Sequence, residues 1–212
     1  MSNKTRVMLA CLALGLVAPA CSGKSTATPA PSGIVLLGDS FETFPNSNWS
    51  VSGTGVVFFN GFAGNLAPCL STTPGHTSGA FVAVQSTTQF SAPDLTLSAD
   101  MLLVEVGPGL GSASFAVRNF SGGSAVATAS LDGQSGAMTF TIGGAVSAPI
   151  GTVPGWRTYS FSYSAGGGAS WKVNGKVFFS VAGFLPPAAV VVSLENGSGS
   201  VFDFDNVLVT TP

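Results

Sequence analysis

Few side chains in this 212-residue sequence could do chemistry, because it contains nine acidic residues, seven basic residues and one histidine. Hydrolysing a glycosidic bond through a covalent intermediate takes two carboxylates about 5 Å apart, a separation that alternate residues of one strand provide. Asp100 and Glu105 come nearest to this pattern, but residues five apart lie on opposite faces of a regular strand. We interpret both as solvent-facing polar positions and predict no catalytic residues.

Asp203 and Asp205 are the candidate metal ligands. They alternate with Phe202 and Phe204, so the two carboxylates lie on one face of a strand. Together with loop carbonyls they would suit a hard cation such as calcium. The alternative is that they place charge on an edge strand and prevent edge-to-edge association. We favour this alternative slightly, because no D-x-D-x-D-G loop supports the metal.

The three tryptophans are either core residues or a platform on which sugar rings stack. Trp171 shares the parity of Val173 in a predicted hairpin, so its ring is expected to point inward. Trp156 stands at the entry of a strand, and Trp49 follows a polar loop. Trp156 and Trp49 are therefore the candidate ligand-binding residues.

The single histidine offers no catalytic site. His76 lies in G-H-T-S-G, which superficially matches a nucleophile elbow, but that motif needs a following helix and none is predicted. One histidine and one further cysteine, Cys69, make neither a catalytic triad nor a zinc site. Cys69 is most simply a buried thiol.

The elements that must position these residues are strands. Over residues 159–163 three aromatic side chains alternate with serines, which is the pattern of a strand with one buried face. Asn174 and Gly175 supply the two positive-φ residues of a type I′ turn. The segments on either side of this turn should therefore pair as a hairpin.

Similar short segments with glycine-rich joints recur along the chain, and no convincing helix is present. They predict an all-β domain of two packed sheets. Residues 61–79 are predicted to be one long loop, where binding usually resides. The eleven predicted strands are 56–60, 80–86, 95–106, 113–120, 125–131, 137–142, 158–164, 170–173, 176–181, 189–194 and 201–209.

The N-terminus predicts export. Lys4 and Arg6 precede an apolar run over residues 7–17, which is the build of a bacterial secretory signal. The run is too short to span a membrane. The mature protein is therefore expected outside the cytoplasm.

Cys21 is the predicted site of lipidation. It follows small residues as in the lipobox of bacterial lipoproteins, so residues 1–20 are predicted to be a lipoprotein signal peptide. The acylated cysteine would then anchor the chain in the outer membrane or at the cell surface. Residues 18–20 read A-P-A and also fit ordinary signal peptidase, which would release a secreted protein. Residues 21–32 contain nothing large and apolar, so they are predicted to be a flexible tether to a domain over residues 33–212.

Composition excludes one class of partner. Charged residues make up 8% of the chain, and without the export segment five basic residues remain against nine acidic ones, a net charge of −4. No basic patch is left to hold a phosphate backbone, so nucleic-acid binding is not expected.

Three stretches resemble the concanavalin A-like lectin and glucanase superfamily, which includes laminin G-like modules. They are D-S-F-E leading to Trp49, the segment 156–176 that ends in V-N-G-K, and F-D-F-D-N-V-L-V over 202–209. The resemblance implies a two-sheet antiparallel jelly-roll β-sandwich whose first and last strands are neighbours. It also implies that Glu42 lies near Asp203 and Asp205, where it would complete the calcium ligands.

The superfamily hosts glycosidases, lectins and modules that bind only protein, so the resemblance leaves the function open. The leading hypothesis is an exported cell-envelope lipoprotein whose domain binds carbohydrate or another extracellular polymer without chemistry. The alternatives are a degenerate or unusual glycoside hydrolase, and a structural module that binds an envelope protein.

A calcium site near the chain ends predicts that calcium stabilises the fold. Free calcium at about one hundred times its dissociation constant would raise the free energy of unfolding by about 2.7 kcal/mol. Thermal melting with and without millimolar calcium measures the effect. An unchanged midpoint would contradict the site.

Overall fold

The computed structural model describes residues 33–60, 69–73, 81–105, 111–121, 123–151, 155–197 and 199–212. These residues form strands, turns and loops, with no helix among them. Nothing in this part of the chain is a helix long and apolar enough to cross a membrane. The predicted signal peptide, Cys21, the tether and His76 lie outside the described residues.

Sixteen strands within the described residues form two antiparallel eight-stranded sheets, which confirms the predicted jelly-roll sandwich. The strands are β1 Val35–Asp39, β2 Trp49–Gly53, β3 Val56–Asn60, β4 Cys69–Thr73, β5 Val82–Ser86, β6 Leu95–Glu105, β7 Ser112–Asn119, β8 Ala125–Asp132, β9 Ala137–Ile142, β10 Ala145–Val146, β11 Ile150–Gly151, β12 Arg157–Ser164, β13 Gly168–Val173, β14 Lys176–Ala182, β15 Val190–Asn196 and β16 Val201–Thr210. Sheet A has the order β14-β13-β12-β6-β16-β4-β3, with β1 also paired to β16. Sheet B has the order β10-β9-β8-β7-β15-β5-β2, with β11 also paired to β9.

The predicted long loop over residues 61–79 is wrong in its middle. β4 lies there and pairs with β16 on one side and β3 on the other. Its sequence C-L-S-T-T contains one large apolar side chain, so it has no alternating hydrophobic pattern that would predict a strand. The strand exists because its neighbours supply backbone hydrogen bonds. All eleven predicted strands are present, with ends shifted by at most two residues.

The predicted hairpin is confirmed at its turn. Asn174 and Gly175 have φ angles of 48° and 81°, and Val173 pairs with Lys176 across the turn. The Asn174 backbone N–H donates to the Thr158 carbonyl (2.9 Å), while the Thr158 N–H donates to the Asn174 side-chain oxygen (3.0 Å). These two bonds tie the turn to β12. Strands β12, β13 and β14 together form one end of sheet A.

The core lies between the sheets and includes the residues that alternation assigned to it. Tyr159, Phe161 and Tyr163 of β12 are 2%, 0% and 4% exposed, and Trp171 of β13 is fully buried. The Trp171 indole N–H donates to the Thr141 carbonyl of sheet B (3.0 Å). Because alternate residues point to opposite faces, this inward set fixes which residues of sheet A point outward.

Candidate functional site

The outer face of sheet A carries Asp203 and Asp205 and the further carboxylate Asp100. On β6 the side chains of Leu95, Leu97 and Ala99 lie in the core. The alternate residues therefore project from the other side of the sheet. The same parity applies on β12 and β13, whose buried aromatic residues leave serines and Lys172 outside.

One part of this outer face, which we call the hydroxyl face, is made almost wholly of small hydroxyl side chains. Thr96 and Ser162 are direct neighbours across β6 and β12, and their hydroxyl oxygens lie 3.0 Å apart. Ser160 faces Ser98 on one side and Lys172 on the other. The hydroxyl face consists of Thr96, Ser98, Thr158, Ser160, Ser162, Ser170, Lys172 and Ser180.

The hydroxyl face ends in an open groove of about 620 Å³. Among the described residues Tyr163 is the only aromatic residue that lines it, and the Tyr163 ring is buried, with its hydroxyl donating to the Ala92 carbonyl (3.4 Å). The groove therefore offers hydrogen bonds and no exposed aromatic ring. Its polar lining residues are Asp94, Thr96, Ser162, Ser164, Ser170, Lys172 and Ser180.

Asp100, Asp203 and Asp205, which we call the acidic cluster, occupy the same outer face farther along β6 and β16. Asp100 and Asp205 are partners across the two strands, and the three residues are only 2%, 0% and 2% exposed. The interpretation of Asp100 as solvent-facing is therefore wrong. The edge-strand hypothesis for Asp203 and Asp205 is also wrong, because β16 lies between β6 and β4.

Hydrogen bonds hold the cluster in place. The Ser71 hydroxyl and the Cys69 thiol both donate to the Asp203 carboxyl group, and the Asn206 side-chain amide donates to Asp100 Oδ2 (2.9 Å). Cys69 is buried and free, as the sequence predicted. Asp203 Oδ2 finds no hydrogen-bond partner among the described residues.

Burial dominates the electrostatics of this cluster. It raises the pKa of Asp203, because the charged carboxylate loses water, and the bonds from Ser71 and Cys69 offset only part of this effect. Burial and the neighbouring Asp203 charge likewise raise the pKa of the Cys69 thiol. A buried acid with a raised pKa holds its proton more tightly than an exposed one.

The loop before β2 is organised by Asp39. Its carboxylate accepts hydrogen bonds from the Phe41 backbone N–H (2.8 Å), the Asn46 side-chain amide (3.0 Å) and the Trp49 indole N–H (2.8 Å). A carboxylate that already accepts these bonds is a structural anchor. The D-S-F-E stretch thus contributes to the fold of this loop through Asp39.

The described residues do not assemble the predicted calcium ligands. The first and last strands are neighbours as predicted, with Asp39 opposite Val207, but Glu42 is exposed whereas Asp203 and Asp205 are buried. Within the part of the chain described, no three histidine, cysteine, aspartate or glutamate side chains could hold a metal ion together. Calcium binding by Asp203 and Asp205 with other oxygen ligands stays a prediction.

The two candidate tryptophans lie in different environments. Trp49 is 6% exposed and packs on the Phe41 ring at a centroid distance of 5.4 Å, so it is a core residue with no free face for a sugar. Trp156 is half-buried and directly precedes β12, at the end where Arg157 pairs with Met101 of β6. Trp156 therefore stays a candidate, beside the acidic cluster and away from the groove.

Sequence reasoning missed one charged pair on sheet B. Arg118 of β7 binds both carboxylate oxygens of Glu195 of β15, at 2.5 and 2.8 Å, and donates to the Gly123 carbonyl at 2.6 Å. The pair also raises the pKa of the Arg118 guanidinium. No spacing signal could have found it, because the residues are 77 positions apart.

No family model matches the sequence, and no curated protein matches it. Solved structures do share the fold. The "Cellulose induced protein, Cip1" superposes with a TM-score of 0.65 at 14% identity, over 83% of this chain and 97% of that one. A carbohydrate binding module, CBM66 from Bacillus subtilis, gives 0.52 at 15% identity, over 77% and 96%. A glycosyl hydrolase family protein from Mycobacterium fortuitum gives 0.55 at 15%, over 83% and 99%. The likeness shows the concanavalin A-like fold.

The raised pKa of Asp203 predicts a pH-dependent effect of Asp203→Asn. Stabilisation by the protonated acid is fully present below the unfolded-state pKa of about 3.9 and is lost as the pH rises through the folded-state pKa. Asparagine keeps the neutral form at every pH, so the variant should be more stable than wild type at pH 7, and the gain should shrink towards pH 4. Urea unfolding across this range measures both curves.

Asp132→Asn is the matched control with the opposite sign. Hydrogen bonds from Ser135 lower the pKa of Asp132, so this variant should be less stable than wild type at pH 7 and approach it as the pH falls. If the free energies of unfolding of wild type and Asp203→Asn differed by the same amount at every pH, the raised pKa of Asp203 would be contradicted.

Proposed function

We propose that this domain binds carbohydrate along the hydroxyl face of sheet A without doing chemistry on it. The observation that carries the proposal is the array of neighbouring serine and threonine hydroxyls that ends in the open groove. Each hydroxyl both donates and accepts hydrogen bonds, as sugar hydroxyls do. Each hydroxyl of such a surface can donate a hydrogen bond to a sugar hydroxyl or accept one from it.

The similar structures support this proposal at the level of the fold. One is named as a carbohydrate binding module and another as a cellulose induced protein. The same architecture also supports a glycosyl hydrolase family protein, so the site and not the fold must decide between binding and hydrolysis.

The shape of the face favours an extended ligand. β12 has eight residues and so spans about 26 Å, with Trp156 before its first residue and the groove at its last. A polysaccharide lying along β12 would run from the end of the strand that Trp156 precedes to the groove at the other end. Hydrogen bonds would supply most of the recognition, since Trp156 is the one of the two candidate tryptophans that is not buried.

The acidic cluster supports a second candidate, an unusual glycoside hydrolase. Its three carboxyl groups share one sheet face, and the raised pKa of Asp203 suits a proton donor. Binding is favoured over hydrolysis because all three side chains are nearly inaccessible. Release of reducing ends from a bound polysaccharide, abolished by Asp203→Asn, would establish the enzyme instead.

We also propose that the chain is an exported envelope lipoprotein anchored through Cys21, where the lipid inserts into the membrane. The small residues before Cys21 and the tether-like composition after it support this placement. Labelling with a radioactive fatty acid should mark the wild-type chain and not Cys21→Ser. Equal labelling of both would contradict the anchor.

Ser162→Phe tests the location of glycan binding. Ser162 lies between Thr96 and Ser170 on the hydroxyl face and lines the groove, so a phenyl ring there should block the ligand and weaken retention in polysaccharide gels by about tenfold or more, equivalent to about 1.4 kcal/mol. Affinity electrophoresis in gels containing neutral or acidic polysaccharides gives the measurement, and thermal melting checks the fold.

Ser130→Phe is the control, because Ser130 is a half-buried serine on the outer face of the other sheet, between β7 and β9. It should leave retention unchanged. Equal losses in the two variants would place the site elsewhere, and a wild-type protein retained by no polysaccharide would overturn the proposed function.

A further inference from the structure

Lys172 is the one charged side chain of the hydroxyl face. It lies on β13, opposite Ser160 of β12 and Val177 of β14, and is half-buried. Within the described residues it takes part in no ion pair; the pair found there joins Arg118 to Glu195 on the other sheet. An ammonium group attracts an anion, and the surrounding hydroxyls carry no charge.

The carboxylates of sheet A are too far away to serve as that anion. Lys172 pairs with Ser160 of β12, and Ser160 pairs with Ser98 of β6. Ser98 therefore lies level with Lys172, two strands away. Asp94 is four residues from Ser98. The backbone of Asp94 is therefore displaced from that of Lys172 by roughly 13 Å along the strands and roughly 10 Å across them. It also accepts a hydrogen bond from the Ala165 N–H (2.9 Å).

The acidic cluster is no better placed. Asp100 is two residues from Ser98 in the other direction, so its backbone lies roughly 7 Å along the strand and roughly 10 Å across from Lys172. Its side chain is 2% exposed. The hydroxyl face thus contains a positive charge that no carboxylate of the described sheet is placed to neutralise.

We propose that Lys172 pairs with an anionic group of the glycan, so the ligand of the hydroxyl face is an acidic polysaccharide bearing carboxylate or sulfate groups. This inference rests on the proposed function and names its ligand class. The ammonium forms a charge-assisted hydrogen bond to the anion, while Ser160, Ser162 and Ser170 bind neighbouring sugar hydroxyls. The net charge of −4 outside the export segment opposes polyanions elsewhere on the surface, which makes the contact at Lys172 selective.

Matched polymer pairs test the ligand class. Polygalacturonate and its fully methyl-esterified form differ only in the free carboxylate, and dextran sulfate and dextran differ only in the sulfate ester. The charged member of at least one pair should bind about tenfold more tightly than its neutral partner at low salt, and the pair that responds identifies the anion. Equal affinity for both members of both pairs would overturn the inference while leaving carbohydrate binding intact.

Variants test the residue. Lys172→Met removes the charge from a chain of similar length and should abolish the preference for the charged polymer, whereas Lys172→Arg should keep it. Lys176→Met is the control, because Lys176 is exposed at the hairpin turn, with Nζ 5.5 Å from the Phe178 ring. Added salt should weaken binding of the charged polymer to wild type and to Lys176→Met, and have little effect on Lys172→Met.

Three outcomes separate this inference from the proposed function. An unchanged preference in Lys172→Met overturns the role of Lys172. Retention of neutral polymers alone, lost in Ser162→Phe, upholds glycan binding and overturns the acidic ligand. Retention of no polymer of either kind overturns both.

Discussion

The indole of Trp171 joins the two sheets, and the outer surface depends on it. Its ring lies 5.6 Å from Phe115 and 5.8 Å from Phe140 of sheet B, and its N–H reaches the Thr141 carbonyl of the same sheet. A side chain of this size, wholly buried and hydrogen-bonded, has one acceptable orientation. Because strand residues alternate, turning Trp171 inward turns its neighbour Lys172 outward. The packing of the core thereby determines which side chains of β13 point outward onto the hydroxyl face.

The outer face of sheet A then contains polar residues in two energetic situations. The hydroxyl residues are half-exposed or exposed and bond to one another or to water, so they cost the fold little. The acidic cluster is buried, and burying a carboxylate costs free energy unless it is hydrogen-bonded or neutralised. Ser71, Cys69 and Asn206 supply some of the hydrogen bonds, and a raised pKa supplies part of the neutralisation at Asp203.

The same fold supports binding modules and hydrolases, and the difference lies in how carboxylates are presented. A retaining glycosidase needs two accessible carboxylates about 5 Å apart. Here the three carboxylates of the acidic cluster come from two neighbouring strands and are buried, whereas the hydroxyl face carries only the charge of Lys172 and its groove is also lined by Asp94. A surface of this kind is better suited to holding a glycan than to cleaving one.

The alternation of inward and outward side chains along a strand is a local property. The sequence by itself determined the features that depend on it. The eleven predicted strands, the turn at Asn174 and Gly175 and the inward position of Trp171 are all present in the structure. Each depends on residues within one or two strands of each other, where side-chain direction follows from the backbone alone. The outward direction of the serines on β12 follows in the same way.

Only the tertiary structure decided which strands are neighbours and which outward residues are covered. β4 became a strand because β16 and β3 flank it, and β16 proved to be interior. Asp203 meets Ser71 across 132 positions, and Arg118 meets Glu195 across 77. Burial of Asp100 likewise arises from the assembled sheet. Strand pairing and solvent exclusion join residues far apart in the chain, and a periodic pattern carries no information about either.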